Sequence, residues 1–236
     1  RGPGALLDAL APGAPLLFPD TRIFFGVADA RTLFLARYAA PGTRSAWTPQ
    51  HAVVSTDGTL GCTVGTTRMT LATDTSRTPR HGRYVTCWAR DAGGTWHIAG
   101  HSRNGEDPAI APPKPALAGA PRSADFTTGT AALKDIQDAD AAFARLATDS
   151  SPALAFSRYA AADAMLLGGR PSPARGPEEI GAAFASFPAT GTFSWAPVRT
   201  AGAARGGLGF TTGEAVIVSG GQESHSDRVG ARTRII

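Results

Sequence analysis

The stretch WTPQHAVVSTDGTLGCTVG, residues 47–65, returns in altered form as WAPVRTAGAARGGLGFTTG, residues 195–213. The two stretches are separated by a constant offset of 148 residues (195 − 47 and 213 − 65), and seven of the 21 positions from 47 to 67 match without a gap. Solenoid units repeat after roughly 20–50 residues, which is much less than this offset. The repetition therefore predicts a duplicated domain.

The length of 236 residues suits two domains of roughly 100–120 residues each. We predict a first domain over residues 1–103, a linker rich in proline and alanine over 104–130, and a second domain over 131–236. Both copies are expected to be incomplete. The first lacks a counterpart of the helix predicted near 133–148. In the second, the counterpart of the strand at 96–101 is missing or degenerate. The chain does not begin with Met, which indicates a mature product or a fragment.

The charge pattern does not favour a nucleic-acid partner. The formal net charge is +4, but only two of the 23 basic residues are lysines, Lys114 and Lys134, and the arginines are scattered rather than clustered. No apolar stretch approaches the roughly 18 residues that a membrane span requires.

Neither the cysteines nor the histidines have the spacing of a metal site. Cys62 and Cys87 are expected on neighbouring strands as two buried free thiols, with a disulfide as the alternative. His97 and His101 are four residues apart on a predicted strand, which would place them on one face about 13 Å apart, too far for one ion. We therefore predict no metal and no cofactor.

Hydrophobic periodicity predicts helices followed by an antiparallel meander. Apolar residues recur at spacings of three and four over residues 27–38, which is typical of a helix. From Trp47 onward the pattern alternates, with turn signals at Asp57-Gly58 and Gly93-Gly94. Because successive side chains of a strand point to opposite faces, one set lines the pocket or core and the other faces away. The two sets are Tyr84, Thr86 and Trp88, and Val85, Cys87 and Ala89.

Three motifs resemble the nuclear-transport-factor-2-like superfamily, which includes ketosteroid isomerase and the SnoaL-like proteins. They are YAAADA at 159–164, RGPEEI at 175–180, and GRYVTCWAR at 82–90 followed by GTWHI at 94–98. The Trp-x-Pro…Gly-x-Leu-Gly-x-Thr-x-Gly signature is similar to bacterial members of unknown function. The resemblance implies an α+β fold with two cone-shaped rolls in tandem, each with helices packed on a curved antiparallel sheet around a pocket.

The catalytic arrangement of ketosteroid isomerase does not carry over to this chain. That enzyme uses an Asp general base and an oxyanion hole of Tyr and protonated Asp. The position of the base aligns with Phe18 in the first copy and Gly168 in the second, and neither side chain can accept a proton. Asp20 is two residues away from the first of these positions. The weak candidates for catalysis are therefore His101, Tyr84 and Asp20.

The leading hypothesis for function is non-catalytic binding of a small apolar molecule in the pocket. One alternative is a lyase, isomerase or hydrolase of the SnoaL-like group. Another is a structural or interaction module whose pockets are filled by side chains. The candidate ligand-binding residues are Trp47, Tyr84, Thr86, Trp88 and His101 in the first copy, and Tyr159, Asp163 and Trp195 in the second.

The superfamily commonly dimerises through its sheets. The resemblance therefore implies an intramolecular pseudo-dimer of the two copies, or a homodimer of the chain. Together with the missing initiator Met, it also favours export to a bacterial periplasm.

Overall fold

The computed structural model describes residues 4–18, 21–38, 40–76, 78–104, 130–168, 172–203, 205 and 207–218. We call residues 4–104 the first unit and residues 130–218 the second unit. The first unit contains two helices, α1 (Gly4–Asp8) and α2 (Gly26–Tyr38). Its strands are β1 (Pro15–Leu17), β2 (Phe24–Phe25), β3 (Arg44–Val54), β4 (Leu60–Thr70), β5 (Arg80–Arg90) and β6 (Trp96–Arg103).

These strands form one six-stranded sheet in the order β2-β1-β6-β5-β4-β3. Strands β3 to β6 follow one another as an antiparallel meander, as the turn signals predict. Strand β1 joins in parallel with β6, and Leu16 pairs with His101. We call the side of the sheet that packs against α1 and α2 the inner face. Its cluster of buried residues includes Leu6, Phe34 and Ile98.

The second unit contains the long helix α3 (Thr130–Asp149) and two shorter ones, α4 (Pro152–Tyr159) and α5 (Gly176–Ala182). Its strands form two antiparallel pairs: β7 (Met165–Leu166) with β8 (Ala174–Arg175), and β9 (Thr192–Gly202) with β10 (Gly209–Val218). Helix α4 begins at a proline, and the Ser151 hydroxyl accepts a hydrogen bond from the Leu154 amide, which satisfies one of the free donors at the helix start. The fold is thus mixed α+β with a curved antiparallel sheet.

A β-bulge occupies corresponding positions in the two long hairpins. In the first unit Gly65 pairs with Pro49, and the register shifts between Pro49 and His51. In the second, Gly213 pairs with Pro197, and the register shifts between Thr212 and Gly213. A Cβ at Gly65 would lie 2.1 Å from the Thr48 carbonyl oxygen, and a Cβ at Gly213 would lie 2.3 Å from the Ala196 carbonyl oxygen. The close approach of the backbones therefore requires glycine at both positions.

Substitution of either glycine by alanine will destabilise the protein. Because the obstructing atoms are backbone, Gly65→Ala and Gly213→Ala should each lower the free energy of unfolding by about 3 kcal/mol. Gly168→Ala is the matched control, since nothing lies within 4 Å of its added Cβ. Urea denaturation measures all three variants. A loss no larger than that of the control would mean that the bulges accept a side chain.

The two units contact each other through the outer face of the first sheet. Val64 and Val85 of that face belong to one buried cluster with Leu208 and Phe210 of the second unit. Two hydrogen bonds from the first unit converge on the Leu167 carbonyl, from the Arg83 guanidinium at 3.0 Å and the Asn104 amide at 2.7 Å. The contact between the units therefore combines apolar packing with hydrogen bonds.

The expectation of two free thiols is wrong, because Cys62 and Cys87 form a disulfide. The two residues are directly opposite each other on β4 and β5, with their Cα atoms 4.0 Å apart. Both are 1% exposed and belong to the cluster between the two units. The sequence predicts neighbouring strands, but the register between them decides whether the sulfur atoms meet.

Two predicted features lie outside the described residues. The first is the linker predicted over 104–130, of which only residues 104 and 130 are described. The missing or degenerate last strand of the second copy falls on residues 219–236.

Candidate functional site

A cavity of 260 Å³ lies on the inner face of the first unit, between the sheet and the helices. Its walls are largely apolar and aromatic. Helix α1 contributes Ala5 and Leu6, the residue after it contributes Ala9, and α2 contributes Phe34 and Tyr38. The strands and loops contribute Phe18, Thr43, Ser45, Trp47, Thr67, Met69, Trp88, Ile98 and Arg103.

A buried arginine and a tyrosine supply the main polar contact of the cavity. The Arg103 guanidinium donates to the Tyr38 hydroxyl at 2.6 Å, and both residues are almost fully buried. The guanidinium also lies over the rings of Tyr38 and Phe18, 5.3 and 5.7 Å from their centroids. Such cation–π contacts stabilise a charge away from water. The Tyr38 hydroxyl oxygen accepts from Arg103, which leaves the O–H of Tyr38 able to donate to another group.

Thr67 brings a second polar group to the cavity wall. Its side chain is 2% exposed, and within the described residues its Oγ1 has no hydrogen-bond partner. A buried hydroxyl without a partner costs about 1–3 kcal/mol, so such groups usually have one. A ligand atom that bonds to Thr67 would remove this cost.

His101 is buried in the aromatic layer next to the cavity and does not line it. Its ring stacks on Trp47 with centroids 4.8 Å apart, and Nδ1 shares a 2.9 Å hydrogen bond with the Thr86 hydroxyl. Burial and, to a lesser extent, the positive charge of Arg103 lower the pKa of His101 to about 3. The imidazole is therefore neutral near pH 7, and it is held as a packing group.

The predicted relation between His97 and His101 is wrong. Strand β6 carries a bulge where the register shifts between Cys87 and Trp88. His97 consequently pairs with Ala89 of the outer face, whereas His101 pairs with Thr86 of the inner face. The two imidazoles lie on opposite faces. His97 is partly exposed and bonds to Asp91 at 2.8 Å.

Tyr84, Thr86 and Trp88 share the inner face, as their alternation predicts, but they differ in their distance from the cavity. Trp88 lines it, and its indole donates a 3.4 Å hydrogen bond to Thr63. Tyr84 lies behind Trp47, with ring centroids 5.1 Å apart, and burial raises the pKa of its hydroxyl despite a hydrogen bond with Thr63. The Thr86 hydroxyl is engaged in its hydrogen bond with His101 Nδ1.

The candidate residues of the second unit do not line the cavity of the first unit. Trp195 is 6% exposed, and its Nε1 donates to the buried Asp140 carboxylate at 2.8 Å. Tyr159 packs against Phe143 in the core of this unit. Asp163 is exposed on a turn. Asp20, proposed as a catalytic candidate of the first copy, lies outside the described residues.

Three polar residues of the cavity, Tyr38, Thr67 and Arg103, belong to none of the motifs in the sequence. One signal was present: Arg103 follows His101 by two residues on β6, so the same alternation that places His101 inside also places Arg103 there. The pairing with Tyr38 joins residues 65 positions apart. Only the folded structure brings them together.

The polar groups carried by the side chains of the cavity wall are hydroxyls, indole N–H groups and one guanidinium. Among the described residues, no carboxylate and no imidazole lines the cavity. The described wall can donate hydrogen bonds and stack on flat apolar surfaces.

The described residues contain no group of three or more His, Cys, Asp or Glu side chains close enough to hold a metal ion. None of the helices in the described ranges combines the length and the apolar character needed to cross a membrane.

Solved structures similar to this chain include proteins with an NTF2-like or cystatin-like fold. A domain of unknown function with a cystatin-like fold from Nostoc punctiforme is 13% identical, with a TM-score of 0.37, over 44% of this chain and 64% of that one. For a ketosteroid isomerase-like protein from Erwinia carotovora the identity is 16%, the TM-score 0.37, and the coverage 47% of this chain and 82% of that one. An NTF2-like protein from Novosphingobium aromaticivorans is 15% identical, with a TM-score of 0.35, over 43% of this chain and 67% of that one.

Each of these alignments spans less than half of this chain, and the similarity concerns the fold. No protein-family model matches the chain, and no curated protein matches it in sequence.

Proposed function

We propose that the first unit binds a small, mostly apolar molecule with one oxygen acceptor, without chemical turnover. The observation that carries this proposal is an aromatic cavity of 260 Å³ into which Thr67 brings a buried hydroxyl that has no partner in the described residues. Ligand sites commonly combine apolar walls with a few such polar groups. The Tyr38 hydroxyl supplies a second donor at the Arg103 end of the cavity.

The two alternative functions have less support. An enzyme using His101 or Tyr84 would need these groups to reach a substrate, but both lie in the layer behind Trp47. For a scaffold with filled pockets, the support is the packing of Phe143 against Phe193 in a buried cluster of the second unit. The open cavity of the first unit is what separates binding from a purely structural role.

Calorimetric titration with 2-naphthol tests the binding proposal. We expect 2-naphthol to bind, and Thr67→Val to weaken its binding about three- to tenfold, the effect of one lost hydrogen bond. Naphthalene, which lacks the hydroxyl, should bind Thr67→Val at least as well as the unmodified protein. Thr66→Val is the matched control, because Thr66 is also buried without a partner in the described residues, but the alternation of β4 turns it away from the cavity.

The absence of 2-naphthol binding to the unmodified protein would overturn the proposal. An equal loss in Thr66→Val and Thr67→Val would show a general effect on folding rather than a contact in the cavity.

We further propose that the two units are copies of one domain that pack as an intramolecular pseudo-dimer. The recurrence of the bulge at Gly65 and Gly213 and the apolar contact around Phe210 support this interpretation. A homodimer of the whole chain is the alternative, and sedimentation analysis distinguishes them by mass. The disulfide between Cys62 and Cys87 supports the proposal that the protein works in an oxidising compartment, such as the bacterial periplasm.

A further inference from the structure

Thr67 and Arg103 bring their polar groups to the cavity from strands that are not neighbours. Thr67 lies on β4 and Arg103 on β6, with β5 between them. Because adjacent strands are about 4.8 Å apart, these two strands are separated by roughly 10 Å. The Arg103 guanidinium lies over the ring of Phe18, which directly follows β1 on the other side of β6. The cavity thus offers hydrogen bonds at two separate places.

Arg103 also brings a positive charge to the cavity. The residue is 5% exposed, and among the described residues that line the cavity it carries the one formal charge. A guanidinium has five N–H donors in a planar fork, so it can serve the Tyr38 hydroxyl and a carboxylate at the same time. A charge-assisted hydrogen bond is about twice as strong as a neutral one. The Arg103 end of the cavity therefore favours an acid over a neutral oxygen.

The rest of the described wall is mostly apolar. Phe34, Met69, Trp88 and Ile98 contribute to it, and none of the described lining residues is a carboxylate that would repel an acid. Aromatic side chains pack well against other flat rings, by offset stacking or edge-to-face contact. The body of the ligand that fits such a wall is a flat ring system.

We propose that the ligand is an aromatic carboxylic acid with a second oxygen on the side of the ring system opposite its carboxylate. The carboxylate binds the Arg103 guanidinium and accepts from the Tyr38 hydroxyl, and the second oxygen accepts from Thr67. The apolar wall contacts the rings. This inference rests on the proposed function, since it assigns a chemical class to the molecule that the cavity binds.

The probe is 6-hydroxy-2-naphthoate, which is 2-naphthol with a carboxylate at the opposite end of its rings. The matched neutral ligand is 6-hydroxy-2-naphthamide, which has nearly the same shape and lacks the charge. In calorimetric titration at pH 7 we expect the acid to bind the unmodified protein about ten- to hundredfold more tightly than the amide. This comparison isolates the charge of the ligand and does not depend on the folding of any variant.

Two variants assign the preference to Arg103. Arg103→Gln should bring the affinities for acid and amide to within about twofold of each other, because glutamine keeps a donor but carries no charge. Arg83→Gln is the matched control and should keep the preference for the acid. Arg83 is also 5% exposed, but the alternation of β5 places it on the outer face, where it donates to the Leu167 carbonyl.

Equal binding of acid and amide to the unmodified protein would overturn the carboxylate inference, and so would a preference that Arg103→Gln leaves unchanged. If 2-naphthol binds in either case, the proposed function stands, so the two failures are distinguishable. No binding of the acid, the amide or 2-naphthol would overturn both proposals.

Discussion

Acidification from pH 7 to pH 4.5 will lower the free energy of unfolding by about 2.5 kcal/mol, and His101 will account for most of the loss. Burial against Trp47 and Phe18, with the charge of Arg103 as a smaller cause, lowers the pKa of this histidine to about 3. In the unfolded chain the pKa returns to its ordinary value of 6.5. Between these two values the unfolded chain binds a proton that the folded protein does not.

The sign of the effect follows from this difference in proton binding. Stability rises with pH wherever the unfolded state binds more protons, so the contribution of a neutral buried imidazole is complete above about pH 6.5 and is lost as the pH falls toward 3. Carboxylates take up protons at a lower pH than histidine does. The hydrogen bond from Arg22, for example, lowers the pKa of Asp29 to about 2, so its contribution is lost only below about pH 4.

Urea denaturation at a series of pH values measures the slope, and one variant assigns it. His101→Gln should remove most of the dependence between pH 4.5 and 7. Nuclear magnetic resonance provides a direct test. A His101 ring signal that titrates near pH 6.5 in the folded protein would contradict the prediction.

The features that the sequence predicts best are those that depend on periodicity. The alternation of Tyr84, Thr86 and Trp88 with Val85, Cys87 and Ala89 needs only the two-residue repeat of a strand, and the structure has the two sets on opposite faces. The long hairpin after Trp47 is predicted for the same reason. Such patterns are local, so they can be read without knowing which strands are neighbours.

The features that the sequence does not predict depend on register and on distant contacts. A single bulged position in β6 is enough to place His97 and His101 on opposite faces, and nothing in the composition of that strand marks the bulge. The pair formed by Tyr38 and Arg103 requires the end of α2 to meet the end of β6. The cavity depends on these contacts, so its apolar character was predictable, whereas its polar end was not.

Loss of the disulfide will also destabilise the protein, by about 3.5 kcal/mol. The bond closes a loop of 25 residues between Cys62 and Cys87, and the chain entropy that such a loop removes from the unfolded state corresponds to roughly this free energy. Denaturation of the oxidised protein should therefore show a higher midpoint than denaturation in the presence of a reductant. The double variant Cys62→Ala, Cys87→Ala should behave like the reduced protein and should not respond to the reductant.

Because of where the disulfide lies, its loss should affect more than the two strands that it joins. Both cysteines are 1% exposed and share a buried cluster with Leu208 and Phe210, so the bond also holds the surface on which the second unit packs. Reduction of the folded protein should consequently be slow, and it should become fast once denaturant opens the contact between the units. Thiol titration measures both rates. Equal denaturation midpoints with and without reductant, or a disulfide reduced as fast in the folded as in the unfolded protein, would show that neither the loop nor the contact constrains the chain.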